Sequence, residues 1–499
     1  MHDLLPYIQG QLTQILGDMH YFGPEICLSL LFIVVLITDL LFGRNSEKLC
    51  RIVACGGVIL VISKDILQLH LIGDHNIFLF SDMLLQNHIS LIFRLIIDSS
   101  AFLLLLYFAW DEPLASHTKK LSDLYSISIA AILGLHLMTM AVNLLSVYLA
   151  IEMVSIASYL LVAYRSENAF STEAGLKYVL FGAAASAIML YGISLLYGFT
   201  GTLSLFDPNF VAGLIQVNAA GTTFALILVL VGIGFKLSFV PLHFWVPDVY
   251  EGAPTPITAF LSTVPKIAAF GLVLNFLTPF LISPQWKAFD FGLYLSVIGI
   301  ITMIAGNFAA VMQNNVKRML AYSSIGHTGF ALMAIVTFTS QGITALAYYL
   351  AVYVIANIGA LMLVTYFTKI TGSEDVNTYK GLGLKYPAAS ICFIIILISL
   401  TGLPVTAGFT GKLLVFSAVY SVYQANHNIW LLLLTITGAL TTVVSLFYYI
   451  KIPLNLFLKR TENTAEPIAQ SAYILVFAVI ISIILVLLGI FPNWLIKFL

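Results

Sequence analysis

Four ionisable side chains sit inside long apolar runs, where charge is hardest to keep. Glu152 falls in SVYLAIEMVSIASYLL, Lys236 in VGIGFKLSFVPLHFW, Lys266 in AFLSTVPKIAAF and Lys412 in GLPVTAGFTGKLLVF. A charged amine in hydrocarbon costs from about 2.5–3.5 kcal/mol on insertion scales to roughly 10 or more in simulations. Packing a bundle requires no such cost, so these groups are candidates for chemistry. Burial weakens an amine's hold on its proton, and a carboxylate within about 4–6 Å strengthens it. A buried lysine whose acidic partner approaches or withdraws can therefore take up and release a proton. That is the minimum equipment for carrying protons across a membrane, and the scale fits, since one charge moved across about 100 mV costs about 2.3 kcal/mol.

Each group has neighbours that bear on this chemistry. Glu152 is the one acid placed deep in a span, on a helical stripe of Tyr148, Glu152, Ser155 and Tyr159. Lipid offers these groups no partner, so the stripe is expected to face the bundle; a hydrogen-bonded structural carboxylate is the alternative. Pro241 follows Lys236, cannot donate to the carbonyl of residue 237 and clashes with it. A free carbonyl is therefore expected one residue from the amine, able to anchor water. Such breaks are tolerated at this depth where protein or a wet cavity satisfies the backbone. His243, whose carbonyl Pro247 would free in turn, either relays protons near neutral pH or is satisfied at a helix end. Lys266 ends a stripe of Thr255, Thr258 and Ser262, hydroxyls that hold water or serve helix packing; the lysine favours the wet reading. His327, in KRMLAYSSIGHTGF with Ser323 and Ser324 on its face, belongs to the proton path or to a buried polar patch. Lys177 lies nearer the inner end of its span, where it joins the path or snorkels to the surface. His136 has no polar stripe and reads as structural.

Long helices must position these groups. Of 499 residues, 60% are hydrophobic and 9% charged, against roughly 25% charged in a soluble domain, and mean hydropathy is +1.00. Unbroken apolar runs predict an all-α polytopic membrane protein rather than a barrel, whose strands would alternate. At roughly 20 residues per span, about fourteen transmembrane helices are expected. They lie near 24–42, 50–72, 92–112, 124–141, 142–164, 173–200, 221–250, 254–280, 288–312, 316–338, 342–368, 387–420, 428–457 and 470–496. With the N-terminus outside, fourteen Lys and Arg fall in inner loops, among them Arg44, Lys119, Lys120 and Arg460. Four, including Arg94, fall outside. This is the asymmetry of the positive-inside rule, and it places both termini outside.

The seventh and twelfth spans each carry a mid-span proline, Pro241 or Pro404, with a lysine and small residues nearby. Each is fourth in a five-helix group, spans four to eight and nine to thirteen. An odd number of helices inverts the second copy, and inverted repeats with discontinuous helices are a transporter design. The chain divides accordingly into residues 1–123, three spans with an outer hairpin loop; 124–280 and 281–457, the two repeats; and 458–499, a loop and a last span. Residues 73–91 are expected to form a short outer hairpin from the IFLF and ISLIF runs, or else a solvated loop.

Other chemistries find no support in the sequence. A net charge of −1 leaves no basic face for nucleic acid. Cys27, Cys50, Cys55 and Cys392 lack CxxC or Cys/His spacing, so no disulfide framework, zinc site or iron–sulfur cluster is expected. No GxGxxG opens a helix after a strand, and neither a P-loop nor histidines at haem spacing occur. No Lys or Arg precedes Arg44, so a cleavable signal peptide is not expected.

FKLSFVPLHFWVPDVYEGAPTPITAFLSTVPKIAAF, KRMLAYSSIGHTGF, EDVNTYKGLGLKYP and GLPVTAGFTGKLLVF closely resemble the antiporter-like membrane subunits of proton-translocating NADH–quinone oxidoreductase, respiratory complex I. The resemblance covers about residues 98–457, in a family that also holds Mrp-type antiporter and membrane-bound hydrogenase subunits. Three features are similar to its subunit N branch: the VPDVYEGAPTP loop, Lys266 where L subunits tend to carry histidine, and Lys412 where M subunits have glutamate. The resemblance implies that Glu152 and Lys236 pair in a first half-channel, that Lys266 connects, and that Lys412 serves a second half-channel. Lys177 and His327 match auxiliary positions. It also implies no cofactor in this chain, with NADH, FMN, iron–sulfur clusters and quinone held by partner subunits. The expected partners are other membrane subunits of complex I, and the expected site is a bacterial cytoplasmic (inner) membrane. The implied function is a proton-translocating subunit of a redox-driven pump. A cation/proton antiporter subunit of the Mrp type and a non-pumping scaffold are the alternatives. The first 97 residues and His136 receive no role.

Overall fold

The computed structural model describes residues 5–43, 46–73, 75–116, 121–459 and 472–499. Arg44, Lys119, Lys120 and Arg460, used in the charge count, lie outside the described residues. The apolar runs fold into helices, several of them started by an Asn cap. The N-terminal part holds α1 (Leu5–Asp18), α2 (Gly23–Phe42), α3 (Ser46–Ile72), a hairpin of β1 (Ile77–Leu79) and β2 (Leu84–Gln86), α4 (His88–Phe108) and α5 (Glu112–Ala115). Next come α6 (Ser122–Met140), α7 (Leu144–Val162), α8 (Ala169–Thr200), α9 (Pro208–Gln216), α10 (Ala219–Leu237), α11 (Trp245–Gly252) and α12 (Thr255–Ile282). The rest comprises α13 (Phe291–Val311), α14 (Val316–Ile335), α15 (Ser340–Thr371), α16 (Leu382–Lys385), α17 (Pro387–Thr401), α18 (Ala407–Asn426), α19 (Ile429–Tyr449), α20 (Lys451–Pro453), α21 (Ala472–Ile490) and α22 (Asn493–Ile496).

Among the described residues, twelve helices are long and apolar enough to cross a membrane. The chain is therefore an all-α polytopic membrane protein. Two expected spans are not among the twelve. One is α14, which opens on Lys317 and Arg318 and carries Ser323, Ser324 and His327. The other, 387–420, is broken into the 15-residue α17 and the separate α18. The short α9 and the half-polar α1 were not anticipated, since neither has the length and apolar pattern of a span.

The hairpin forms with the IFLF run as its first strand, as expected, but Leu84–Gln86 rather than ISLIF supplies the second. β1 pairs antiparallel with β2, Ile77 opposite Gln86, across a turn in which Phe80, Ser81 and Asp82 take positive φ. ISLIF instead begins α4, because Asn87 and Ser90 form a reciprocal capping box that starts the helix early. The third span thus runs over 88–108 rather than 92–112, and Asp111 falls outside it. Leu84 bridges Ala141 at the tight α6–α7 join, which ties the hairpin down over the first helices.

Helices α12 and α15 are the centre of the bundle, with 94% of their apolar windows buried. Lys266 therefore sits on a core helix. Against them α13 and α14 meet almost backbone to backbone: a Cβ on Gly306 would lie 2.5 Å from the amide of Gly326. All four cysteines are free, and Cys50, Cys55 and Cys392 are buried.

The α4–α5 corner carries a pH-sensitive carboxyl. Asp111 caps α5 through Leu114 N at 3.0 Å and is buried beside Tyr107 and Thr365. Burial pushes it up from 3.8 to about 6, against the opposing pull of the cap hydrogen bond and of Lys317. The folded chain thus holds an extra proton between about pH 4 and pH 6, and stability falls as pH rises through that window, by about 3 kcal/mol in all. Asp111→Asn, which cannot ionise, is expected to flatten this slope. Thermal midpoints of the solubilised complex across pH 4–7 check it, and parallel slopes in the two proteins would refute it.

Candidate functional site

Lys236 occupies the last turn of α10. Ser238 takes φ +62° and stops the helix, so Pro241 lies in the following turn rather than inside a helix. This corrects the expectation of a free carbonyl. Leu237 O accepts the Thr328 hydroxyl of α14 at 3.0 Å, and His243 O accepts from Val246 N at 3.0 Å. The broken backbone is held by protein: Val240 N donates to Thr302 on α13, and Phe239 N to Gly234 O. The Lys236 amine itself is buried and has no hydrogen-bond partner among the described residues. Its surroundings are aromatic, with the Tyr178 and Phe235 rings each 5.9 Å away.

Glu152 approaches this amine without touching it. Its carboxylate accepts a hydrogen bond from Ser186 on α8, and no ion pair joins it to Lys236. The stripe does look into the protein as expected. Ser155 is buried, and Tyr159 packs edge-on against Tyr178, 4.9 Å between centroids. Tyr159 fits because residue 182 is glycine; a Cβ there would overlap its hydroxyl. Glu152 remains only half-buried.

Lys266 is fully engaged by α14. Its amine donates to Ser324 O at 3.0 Å, to Ser324 Oγ at 2.6 Å and to Thr328 Oγ1 at 3.1 Å. Thr328 in turn reaches Leu237 O, so one hydroxyl links the Lys266 amine to the backbone next to Lys236. The hydroxyl stripe below Lys266 is used mainly within the protein. Thr258 donates to Tyr250 O at 2.8 Å, while Ser262 donates to Ala259 O and accepts from Asn357 at 2.6 Å.

His327 shares α14 with Ser324 and Thr328. Its Nδ1 lies 2.6 Å from the Tyr349 hydroxyl and its Nε2 3.3 Å from that of Tyr449. Between His327 and Lys412 a cavity of about 10 Å³, lined also by Tyr349, Tyr353 and Ser399, has room for about one water. Lys412 lies near the start of α18, the second half of the other broken span. Its amine donates to Thr401 O, the last carbonyl of α17, at 2.8 Å, and lies 4.6 Å from the Phe330 ring centroid. Gly402, at φ +83°, makes this possible, since a Cβ there would lie 2.7 Å from the lysine stem. The arrangement is a line of titratable groups, Glu152, Lys236, Lys266, His327 and Lys412, with hydroxyls and backbone carbonyls between them.

Two auxiliary candidates sit apart from that line. Lys177 is 37% exposed and pairs with Glu173 and Asp248, each at 2.7 Å. Asp248 also binds Arg318, which reaches Glu251, so Lys177 belongs to an ion network at the ends of α8, α11 and α14. His243 is half-buried in the turn between α10 and α11, its ring tilted 34° to that of Phe244, with Nδ1 unpartnered among the described residues.

The sequence reading missed a second buried cluster. Glu152 is not the only acid within the spanning helices: Glu25, Asp65 and Asp98 are all fully buried, with Arg94 and His136 among them. Arg94, expected on the outer side, lies inside α4. His136 has no polar stripe on its own helix because its partners come from α2 and α4. The one local signal was Arg94 and Asp98, four residues apart on one helical face.

The family described as NADH:quinone oxidoreductase/Mrp antiporter, TM, matches residues 141–442. NADH-quinone oxidoreductase subunit N 2 of Chloroherpeton thalassium is 40% identical over 467 residues, covering 92% of this chain and 90% of that one. Subunit N of Chlorobium chlorochromatii is 36% identical, covering 92% and 89%. A chain of respiratory complex I from Thermus thermophilus is 27% identical with a TM-score of 0.77, over 95% of this chain and 98% of that one. A chain of the Mrp complex from Dietzia sp. DQ12-45-1b, at 18% identity and a TM-score of 0.75 over 95% of each chain, is alike in fold.

Proposed function

The chain belongs to the NADH:quinone oxidoreductase/Mrp antiporter family of membrane subunits, and from that premise we propose that it is the subunit N-type proton-translocating subunit of an NADH–quinone oxidoreductase. It conducts protons while partner subunits hold NADH, FMN, iron–sulfur clusters and quinone; this chain performs no redox step. It sits in a bacterial inner membrane with both termini outside, beside other membrane subunits of the complex. The two five-helix groups act as inverted copies, each with one broken span.

The observation that carries this reading is the line from Lys236 through Thr328 and Lys266 to His327 and Lys412, spanning both broken helices. A proton entering beside Glu152 is held at Lys236 when the carboxylate is near and released when it withdraws. Ser324 and Thr328 orient the Lys266 amine as the connector, because hydroxyls both donate and accept. Beyond that connector, the single-water space between His327 and Lys412 leads on to the second lysine. Lys177 tunes the inner entrance through Asp248, and His243 lies beside the first break as an auxiliary carrier.

Inverted membrane vesicles holding the assembled complex test the reading. NADH-driven acidification is expected to be independent of sodium and to fall several-fold in Lys412→Met at unchanged complex content. A sodium-dependent pH gradient without NADH would favour the antiporter alternative, and normal pumping in Lys412→Met would favour the scaffold.

A further inference from the structure

The second buried cluster is built around one imidazole held between two acids. His136 Nδ1 lies 3.1 Å from Glu25 Oε1, and Nε2 lies 2.9 Å from Asp98 Oδ1. Each contact needs one hydrogen. An imidazolium supplies both; a neutral ring supplies one, and the other must then sit on a carboxyl. Either way, the three groups together hold one proton beyond a neutral ring and two carboxylates.

Arg94 adds the second positive charge. Nη1 binds Glu25 Oε1 at 2.5 Å, and Nη2 pairs with Asp65 Oδ1 at 3.1 Å. The sum is three carboxylates against one guanidinium and one proton, a net charge of −1 with every side chain at 0% exposure. Helices α2, α3, α4 and α6 supply these five groups. Gln68, Gln86 and Met140 complete the shell without charge, and α12 contributes Asn275. Uncompensated charge in a dry interior is heavily disfavoured, so a further proton is required. The geometry gives it a place. One atom each of Asp65, Asp98 and His136 lies within 4.8 Å of the others, and Asp65 Oδ2, Asp98 Oδ2 and Glu25 Oε2 have no hydrogen-bond donor among the described residues. Two carboxylates that share a site do not both ionise readily.

Hydrogen bonds lead from the elements of the cluster toward two sides. On one side Gln68 accepts from Arg94 at 3.0 Å and donates to Tyr21 O at 2.8 Å, under the hairpin. On the other, Thr139 donates to His136 O, and its own carbonyl accepts from Asn275 on α12. Asn275 stands nine residues beyond Lys266 on the same helix, about 13 Å along its axis.

We infer that the Glu25–Asp65–Arg94–Asp98–His136 cluster is a second proton-carrying site, which holds one exchangeable proton between Asp65 and Asp98 and releases it toward the hairpin side. Release breaks one carboxylic O–H bond and forms one on water at that surface; no electrons move. The direction of release rests on the translocating function proposed above, whereas occupancy of the site does not.

Infrared difference spectra of the intact complex, taken between high and low pH in H2O and D2O, test occupancy without turnover. A deuterium-sensitive carboxylic acid band is expected in the wild type, lost in both Asp65→Asn and Asp98→Asn and shifted in Asp98→Glu. NADH-driven proton pumping per electron is expected to fall in Asp98→Asn and recover in Asp98→Glu. A band unchanged in all three variants would overturn the site, as would a stoichiometric divalent metal ion in the wild type that Asp98→Asn loses. Should Asp98→Asn fail to assemble, an unshifted band in Asp98→Glu overturns it equally. If the band behaves as expected but pumping is normal in Lys236 and Lys412 variants, the translocating function fails and the proton site stands.

Discussion

Replacing Lys236 with methionine is expected to lower NADH-driven proton pumping by at least about tenfold, the effect of some 1.4 kcal/mol on a rate-limiting barrier, while the complex still assembles. Methionine matches the lysine stem in length and suits a site walled by Tyr178, Phe235 and Trp245. The amine has no hydrogen-bond partner among the described residues to leave behind, so folding loses little. What is lost is the only amine, among the described residues, between Glu152 and the Lys266–Thr328 link. Lys236→Arg is expected to be no better, because a guanidinium keeps its proton at every accessible pH. This pair of variants separates carrying a charge from exchanging a proton. Glu152→Gln should act in the same direction but more weakly, since its carboxylate is half-buried and bound to Ser186 rather than to the lysine. Proton-to-electron ratios in vesicles, at matched content of assembled complex, are the measurement. A full ratio in both Lys236 variants would leave the relay without its first carrier.

Arg94→Met is expected to do the opposite: to cost assembly before it costs transport. Among the described residues, the guanidinium is the only fixed positive charge beside three fully buried carboxylates. Removing one partner of a buried ion pair costs about 3–5 kcal/mol, since the abandoned charge stays in a dry interior. For a membrane subunit of modest stability that loss should largely empty the membrane of intact complex, as native gel electrophoresis would show. The physical cause predicts its own partial cure. Arg94→Met combined with Asp65→Leu removes a charge together with its partner and should assemble better than Arg94→Met alone, a coupling that a double-mutant cycle reads directly. Wild-type amounts of complex in the single variant would show that the cluster does not depend on the arginine.

Much of the architecture was written in local chemistry. Apolar length and the positive charges of short loops marked the spans, and proline, glycine and lysine together marked the two that break. Glu152, Lys236, Lys266 and Lys412 were visible because a lone charge within an apolar run has no local explanation. Helix caps were harder to weigh: Asn87 and Ser90 moved the start of α4 and turned ISLIF from strand to helix, since two satisfied amides at a helix start outweigh the β-tendency of an apolar run.

What the sequence could not determine is which groups meet. It placed Pro241 inside a helix with a free carbonyl beside Lys236. Tertiary structure ended the helix at Ser238 and gave that carbonyl to Thr328, ninety-one residues away. It gave Lys266 to Ser324 and Thr328, and put a one-water space between His327 and Lys412. Most of all, it gathered Glu25, Asp65, Arg94, Asp98 and His136 from four helices into one charged cluster. Read singly, each is an isolated polar residue near or within an apolar span, and His136 looked inert because its own helix face is apolar. Hydrophobicity is a property of a residue and its neighbours in sequence, so the chain alone fixes what must be buried. Charge balance is a property of neighbours in space, so only the packed bundle decides which buried charges share a proton.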